Sequence, residues 1–242
     1  MNIPASSVLK VKKALYGTKK EACCWWLHLK MILHQLRLNL NGEDPSTYFL
    51  DSPKGKAMLW SHVDNGALNG SSTDVLDFIL TELNKCMQIK WDSDITGLVG
   101  LEITRNSNTF QFTQTQLIEK LCGISPSNIT SSSPLTLKFN LHSNPSKVMN
   151  KDYLKRIGML LYIAQGTRPD ISYEVNYLAR YLMGPDSSHW KAMEHLIGYL
   201  RKTRTVRISI SNYEGSPGLE CYVDANWGGE GNRSMHGFLL LR

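Results

Sequence analysis

The residues Leu59-Trp60-Ser61-His62-Val63-Asp64-Asn65-Gly66-Ala67-Leu68-Asn69-Gly70 constrain this chain more than any other stretch. Apolar residues flank a short polar turn, and Asn65-Gly66 is the turn dipeptide, which is the pattern of a β-hairpin presenting its tip to solvent. That commits this part of the chain to antiparallel pairing. Asp64 falls at the tip. Asp and Asn are turn formers, so they suit an ordinary hairpin; a carboxylate held there on rigid strands is also free to meet a ligand.

At 242 residues, 42% hydrophobic and 20% charged, the chain can bury a real core, as one large domain or two small ones. No apolar run approaches the roughly 20 residues that span a bilayer. Met1-Asn2-Ile3-Pro4 carries no apolar secretory segment. The expectation is an intracellular protein, cytoplasmic or nuclear and not secreted. The cysteines, at 23, 24, 86, 122 and 221, are odd in number and contain no C-x-x-C pair, which disfavours a disulfide framework and a structural zinc site. Net charge is +6. Lys10, Lys12, Lys13, Lys19 and Lys20 crowd one end, and Arg201, Lys202, Arg204 and Arg207 form a second cluster. Each is either a solvated surface or a salt-dependent contact for a phosphate backbone.

In chain order, Val8 to Gly17 reads as an extended lead-in. A helix follows, with Ala22, Trp25, Trp26, Leu29, Ile32, Leu33 and Leu36 at three- and four-residue steps. A strand is expected at Tyr48–Leu50 and another at Ala57–Trp60. Ser71 and Asp74 have capping-box spacing before a helix carrying Leu76, Ile79, Leu80, Leu83 and Met87 on one face. Leu98–Ile103 reads as one strand, Asn106–Asn108 as a turn into Phe110-Gln111-Phe112, and Gln114–Cys122 as a short helix. Ser125 to Lys147, rich in Ser, Pro and Asn, is the expected linker. Beyond it Tyr153–Ile163, Ile171–Met183 and His189–Leu200 have helical spacing. Val206–Ile210 and Leu219–Val223 read as strands around an Asn212–Gly218 turn, with Asp224 at a strand end before a Gly-rich loop.

Several blocks resemble the Pol polyproteins of copia-type retrotransposons, from reverse transcriptase into ribonuclease H. Leu9 to Trp25 is similar to "LKKALYGLKQAPRAW", with Ala22 and Cys23 in place of the family proline and arginine. His62-Val63-Asp64-Asn65 is similar to the "YVDD" hairpin, with His62 for tyrosine and Asn65 for the second aspartate. Leu98–Ile103 resembles "FLGIEI". Thr167-Arg168-Pro169-Asp170-Ile171, then His189-Trp190 and Tyr199-Leu200-Arg201, repeat the order found between polymerase and ribonuclease H. Asp224–Gly229 resembles "DADWAGD", and Ser234–Phe238 resembles "STSGY".

The resemblance implies an α+β chain. Residues 1–124 would form a partial reverse transcriptase palm, an antiparallel sheet with helices, and 125–150 a linker. Residues 151–205 would be a helical thumb or connection region, and 206–242 an incomplete ribonuclease H-like β-hairpin. It also implies RNA-directed DNA synthesis with Mg²⁺, on an RNA/DNA primer–template. Asp64 and Asp224 would be the catalytic and metal-binding carboxylates, and Lys12, Lys13, Tyr16, Gly17, Lys19 and Lys20 the nucleic-acid contacts. Glycine suits such a contact because a Cβ would obstruct a close backbone approach.

Nucleotidyl transfer uses two metal ions roughly 3.5–4 Å apart, bridged by carboxylates. The family supplies one aspartate from an early strand and two from the hairpin. This sequence is expected to begin after that strand and to stop before the later ribonuclease H carboxylates, so other Pol segments would be missing partners. With Asn65 at the tip, the chain is expected to be an inactive polymerase remnant; the alternative is a non-catalytic nucleic-acid-binding remnant that uses the basic clusters. No phosphate-binding glycine loop and no H-E-x-x-H is present, and His189 and His195 are six apart, the wrong spacing for a metal pair on one helix face.

Overall fold

The computed structural model describes residues 21–135, 148–211, 220–229 and 233–241, which mix helix with antiparallel sheet in an α+β arrangement. The lead-in from Val8 to Gly17 lies outside them. Helix α1 (Glu21–Gln35) buries Leu29, Ile32 and Leu33, the inner edge of its expected apolar stripe. The chain reverses at Arg37, whose φ of 63° stops the helix, and Asn39–Leu40 is strand β1. Strands β2 (Thr47–Ser52), β3 (Gly55–His62) and β4 (Asn65–Gly70) complete a meander in the order β1-β2-β3-β4. Tyr48 and Leu50 on β2, with Ala57 and Leu59 on β3, alternate onto one buried face.

Helix α2 (Thr73–Cys86) covers that face with Val75, Ile79 and Leu83, and these residues form one core with α1 and the sheet. Its N-cap is Ser72, whose hydroxyl accepts from the Val75 amide at 3.4 Å. Ser71, the expected cap, instead accepts the Lys56 amide at 2.9 Å and continues the β3–β4 pairing past Gly70.

A second sheet has the order β5-β6-β7-β8, from β5 (Gly97–Leu98), β6 (Leu101–Asn106), β7 (Thr109–Thr113) and β8 (Ile208–Ser211). The single strand expected at Leu98–Ile103 is thus split by a two-residue turn. Val99 and Gly100 both take left-handed backbone, φ 47° and 71°, the conformation that twists tightly enough to join neighbouring strands. The Tyr162 hydroxyl donates to the Val99 carbonyl, and a Cβ on Gly100 would lie 2.7 Å from that hydroxyl oxygen. The turn is therefore fixed by a helix more than 60 residues away.

Helices α3 (Thr115–Ile124), α4 (Lys151–Gly166), α5 (Ser172–Ala179) and α6 (Ser187–Lys202) build the second core around Ile157, Leu160, Val175, Leu178, Met193 and Leu196. Helix α5 follows a 3-10 turn, Pro169–Ile171, and stops short of the expected Met183. This core includes Ile118 and Leu121 of α3, from before the expected linker. The described part of that Ser-rich stretch lies along α6: Arg201 donates to the Ile129 carbonyl at 2.7 Å, and Ser131 Oγ sits 2.7 Å from His195 Nε2. A Cβ on Gly198 would stand 2.7 Å from the Ile129 oxygen.

Strand β8 pairs with β7, bringing Ile208 opposite Phe112 and Ile210 opposite Phe110, instead of forming a hairpin with the strand that follows it. That following strand, β9 (Glu220–Gly229), pairs with β10 (Arg233–Leu241) as a separate two-stranded sheet. Residues 212–218, the expected turn, fall outside the described chain.

Candidate active site

The hairpin tip is built from β3 and β4, whose register pairs Leu59 with Leu68, Ser61 with Gly66 and His62 with Asn65. The turn is therefore Val63-Asp64, not Asn65-Gly66. A turn on Asn65-Gly66 would slide Leu59 opposite Ser72 and take away the cap of α2. Helix capping and burial of the sheet face outweigh the local preference of an Asn-Gly pair. The consequence is a β-branched residue in left-handed backbone: Val63 has φ 53° and is 44% exposed. The Trp25 indole N–H of α1 donates to the Val63 carbonyl and holds the tip, while His62 stacks on Trp60 at 5.9 Å between ring centroids.

Asp64 is exposed at this tip, and the Asn65 side-chain amide donates to its Oδ1 at 3.1 Å. Asn65 thus brings a neutral donor where a second carboxylate would bring charge. Among the described residues, no three His, Cys, Asp or Glu side chains gather into a group that could hold a metal ion. Asp224 lies inside β9, opposite Gly237, and is exposed. The strand continues through Gly229, so Asp224 is not at a strand end and the expected Gly-rich loop starts as strand; pairing with β10 extends it. Lys12, Lys13, Tyr16, Gly17, Lys19 and Lys20 lie outside the described residues.

In the second basic cluster, Arg201 donates to the Ile129 and Cys122 carbonyls and Arg207 to Gln111 Oε1 at 2.7 Å. Lys202 and Arg204 are exposed.

The Thr167–Ile171 motif has a different character. Arg168 is fully buried. Its Nε and Nη2 donate to both Asp170 oxygens at 2.9 and 2.7 Å, and Nη1 and Nη2 donate to the Thr203 carbonyl and hydroxyl at 3.0 and 2.8 Å. The guanidinium lies 5.3 Å from the Tyr199 ring centroid, and the Tyr199 hydroxyl donates to Asp170 at 2.8 Å. Burial alone would raise the Asp170 carboxyl, but the hydrogen bonds from Arg168 and Tyr199 and the Arg168 charge outweigh it, and the net shift is downward. Thr167 donates to the buried Gln114 at 3.0 Å. Farther on, Asp186 caps α6 and His189 Nδ1 accepts the Asp186 amide at 3.0 Å, a reciprocal cap. Trp190 packs edge-on against Tyr153 at 5.3 Å.

Sequence reasoning missed the ties of Gln114, Tyr162 and Glu194. Glu194 accepts from both Arg156 and Ser125, and joins α6 to α4 and to the Ser-rich stretch. Each is a single polar residue with a partner far along the chain, which no local pattern announces.

Residues 2–139, more than half of the chain, match the family model for reverse transcriptase (RNA-dependent DNA polymerase). The chain belongs to that family, in its copia-type retrotransposon branch. It is 27% identical over 92% of its length to the retrovirus-related Pol polyprotein from transposon RE2 of Arabidopsis thaliana. It is also 25% identical over 96% of its length to the one from transposon TNT 1-94 of Nicotiana tabacum. It covers only 16% and 18% of those polyproteins. A shorter relative, the putative transposon Ty5-1 protein YCL074W of Saccharomyces cerevisiae, is 27% identical over 88% of this chain and 71% of its own length. No solved structure matches.

Proposed function

We propose that this chain is a catalytically silent remnant of a retrotransposon RNA-directed DNA polymerase. On this reading residues 1–124 are palm, 125–150 a linker and 151–205 the connection region, while 206–242 are the start of a ribonuclease H-like unit. The observation that carries the reading is the hairpin tip, where the position next to Asp64 is the amide of Asn65. A pair of Mg²⁺ ions needs carboxylates that bridge them, because each ion gives up water only for charged oxygen ligands in near-octahedral geometry. One exposed carboxylate already holding an amide N–H does not fit that demand. Losing a bridging ligand lowers the rate by several powers of ten, on the order of 4 kcal/mol or more in barrier. On this reading Asp224, exposed in β9 and outside any group of three metal-binding side chains among the described residues, would not hold the ion pair by itself either.

The test is primer extension by the full chain on an RNA template with a DNA primer and dNTPs, in Mg²⁺ and separately in Mn²⁺. The expected result is no template-dependent product. Any such product, absent with the template omitted, overturns the reading.

A further inference from the structure

We propose that the outer edge of β4 pairs with β4 of a second copy of this chain, joining the two sheets across a two-fold axis at Leu68. In the order β1-β2-β3-β4, no described strand pairs on the outer side of β4. It is an edge of six residues, whereas β1 and β5 have two each and β8 has four. Sheet edges are ordinarily blunted by charge, proline or a bulge. Strand β4 carries no charged residue and no proline, and its register against β3 runs without a shift. The Ser71 amide donates to the Lys56 carbonyl at 2.8 Å, so Ser71 turns its backbone toward β3. Alternation turns the backbone of Asn65, Ala67 and Asn69 the same way, and that of Gly66, Leu68 and Gly70 outward. An axis at Leu68 sets Leu68 opposite its own copy and Gly66 opposite Gly70 of the second copy. About six backbone hydrogen bonds then form, with no like charges opposed.

The flank of α2 above this edge is apolar. Val75, Ile79 and Leu83 enter the core, while Leu76 and Leu80 are half-buried. A Cβ on Gly70 would lie 2.8 Å from Leu76 Cδ2, so Leu76 stands over the end of β4. Leu80, one turn on, continues that ridge. Two residues of strand and four of helix each rise about 6–7 Å, so Leu80 is level with Leu68. Helix α2 packs on β3 and β4 alike. The same axis therefore brings the two α2 helices roughly 10 Å apart, the spacing of packed helices, with Leu80 against its own copy. An unrelated strand would satisfy the edge but leave Leu76 and Leu80 in water. A second copy covers both at once. The pairing uses backbone and apolar groups alone and holds whether or not the hairpin tip catalyses.

Sedimentation velocity of the full chain over a concentration series tests this. The parent should form a dimer that dissociates on dilution; a monomer at every concentration up to about 100 μM overturns the proposal, and is the result expected if another part of the chain covers the edge. Leu80→Lys and Leu80→Glu each place like charges at the axis, so each alone should raise the dimer dissociation constant at least about tenfold. An equimolar mixture of the two variants should restore the dimer, because only a two-fold contact sets position 80 against itself. Parental dimerisation by both single variants overturns the proposal, as does a mixture that stays monomeric. If either variant does not fold, amide exchange of the parent decides alone. Backbone amides of residues 65–70 should exchange more slowly in the dimer than after dilution, and equal exchange overturns the pairing. Primer extension reads a different property, so the two tests fail separately.

Discussion

The sheet core around α1 and α2 and the helical core of α3 to α6 treat polar side chains in opposite ways. In the first, the polar residues sit at the hairpin tip in water, and Thr47 is its one buried polar residue among those described. In the second, Gln114, Ser131, Thr167, Arg168 and His189 are all buried. The motif Thr167–Ile171 therefore has a structural role that needs no chemistry. A buried guanidinium must be paired on every side, and Asp170, Thr203 and Tyr199 do that together. Asp64 and Asn65 are under no such demand. A tip in solvent tolerates exchange of a carboxylate for an amide with little effect on the fold.

The contrast can be broken by mutation. Arg168→Ala should have the largest effect, roughly 3–5 kcal/mol of stability, because it leaves Asp170, Thr203 and Tyr199 without their partner. A urea titration followed by circular dichroism measures it, and a loss below about 1 kcal/mol would show the network to be ornamental. Gly198→Ala comes next. Its Cβ would meet the Ile129 carbonyl at 2.7 Å, so either α6 or the Ser-rich stretch shifts, at about 1–3 kcal/mol despite alanine's better helix propensity.

Acid should also act on the helical core. The Asp186 carboxyl is lowered from 3.8 to about 2: the Ser188 side-chain hydrogen bond is the largest cause and outweighs desolvation, and the Ser188 and His189 amides add to it. A depressed carboxyl stabilises the fold fully above about pH 4, and that contribution disappears as pH falls toward about 2. Asp186→Asn keeps a capping oxygen but cannot titrate. Its urea midpoint should fall less than the parent's between pH 5 and pH 2.5; equal falls would refute the assignment.

The smallest effects belong to the tip. Val63→Gly should stabilise by up to about 1 kcal/mol by relieving the left-handed valine, whereas Asp64→Ala should change stability by less than about 0.5 kcal/mol. A large loss from Asp64→Ala would mean that the tip carries structural weight, and the comparison would collapse.

Much of the fold was legible because periodicity reports burial directly. The stripe of α1, the alternation of Phe110 and Phe112 and the helical spacing from Tyr153 to Leu200 each identify an element and its inward face. The site was legible in part: Asp64 does stand exposed at the end of a hairpin. What failed were the local turn rules. Asn65-Gly66 is the stronger turn pair, yet the turn fell on Val63-Asp64, and Leu98–Ile103 hid a second turn at Val99-Gly100.

The residue pattern by itself determined which segments are strand or helix, which family the chain belongs to and that the hairpin tip carries a single carboxylate, Asp64. Tertiary structure alone decided where the hairpin turns, that β8 joins β7 across nearly a hundred residues, and that Arg168 is buried and partnered. The physical reason is range. Period and turn propensity act between neighbours a few residues apart, whereas register and ion pairing are settled by which distant surfaces must be covered together, and no short window of sequence contains both.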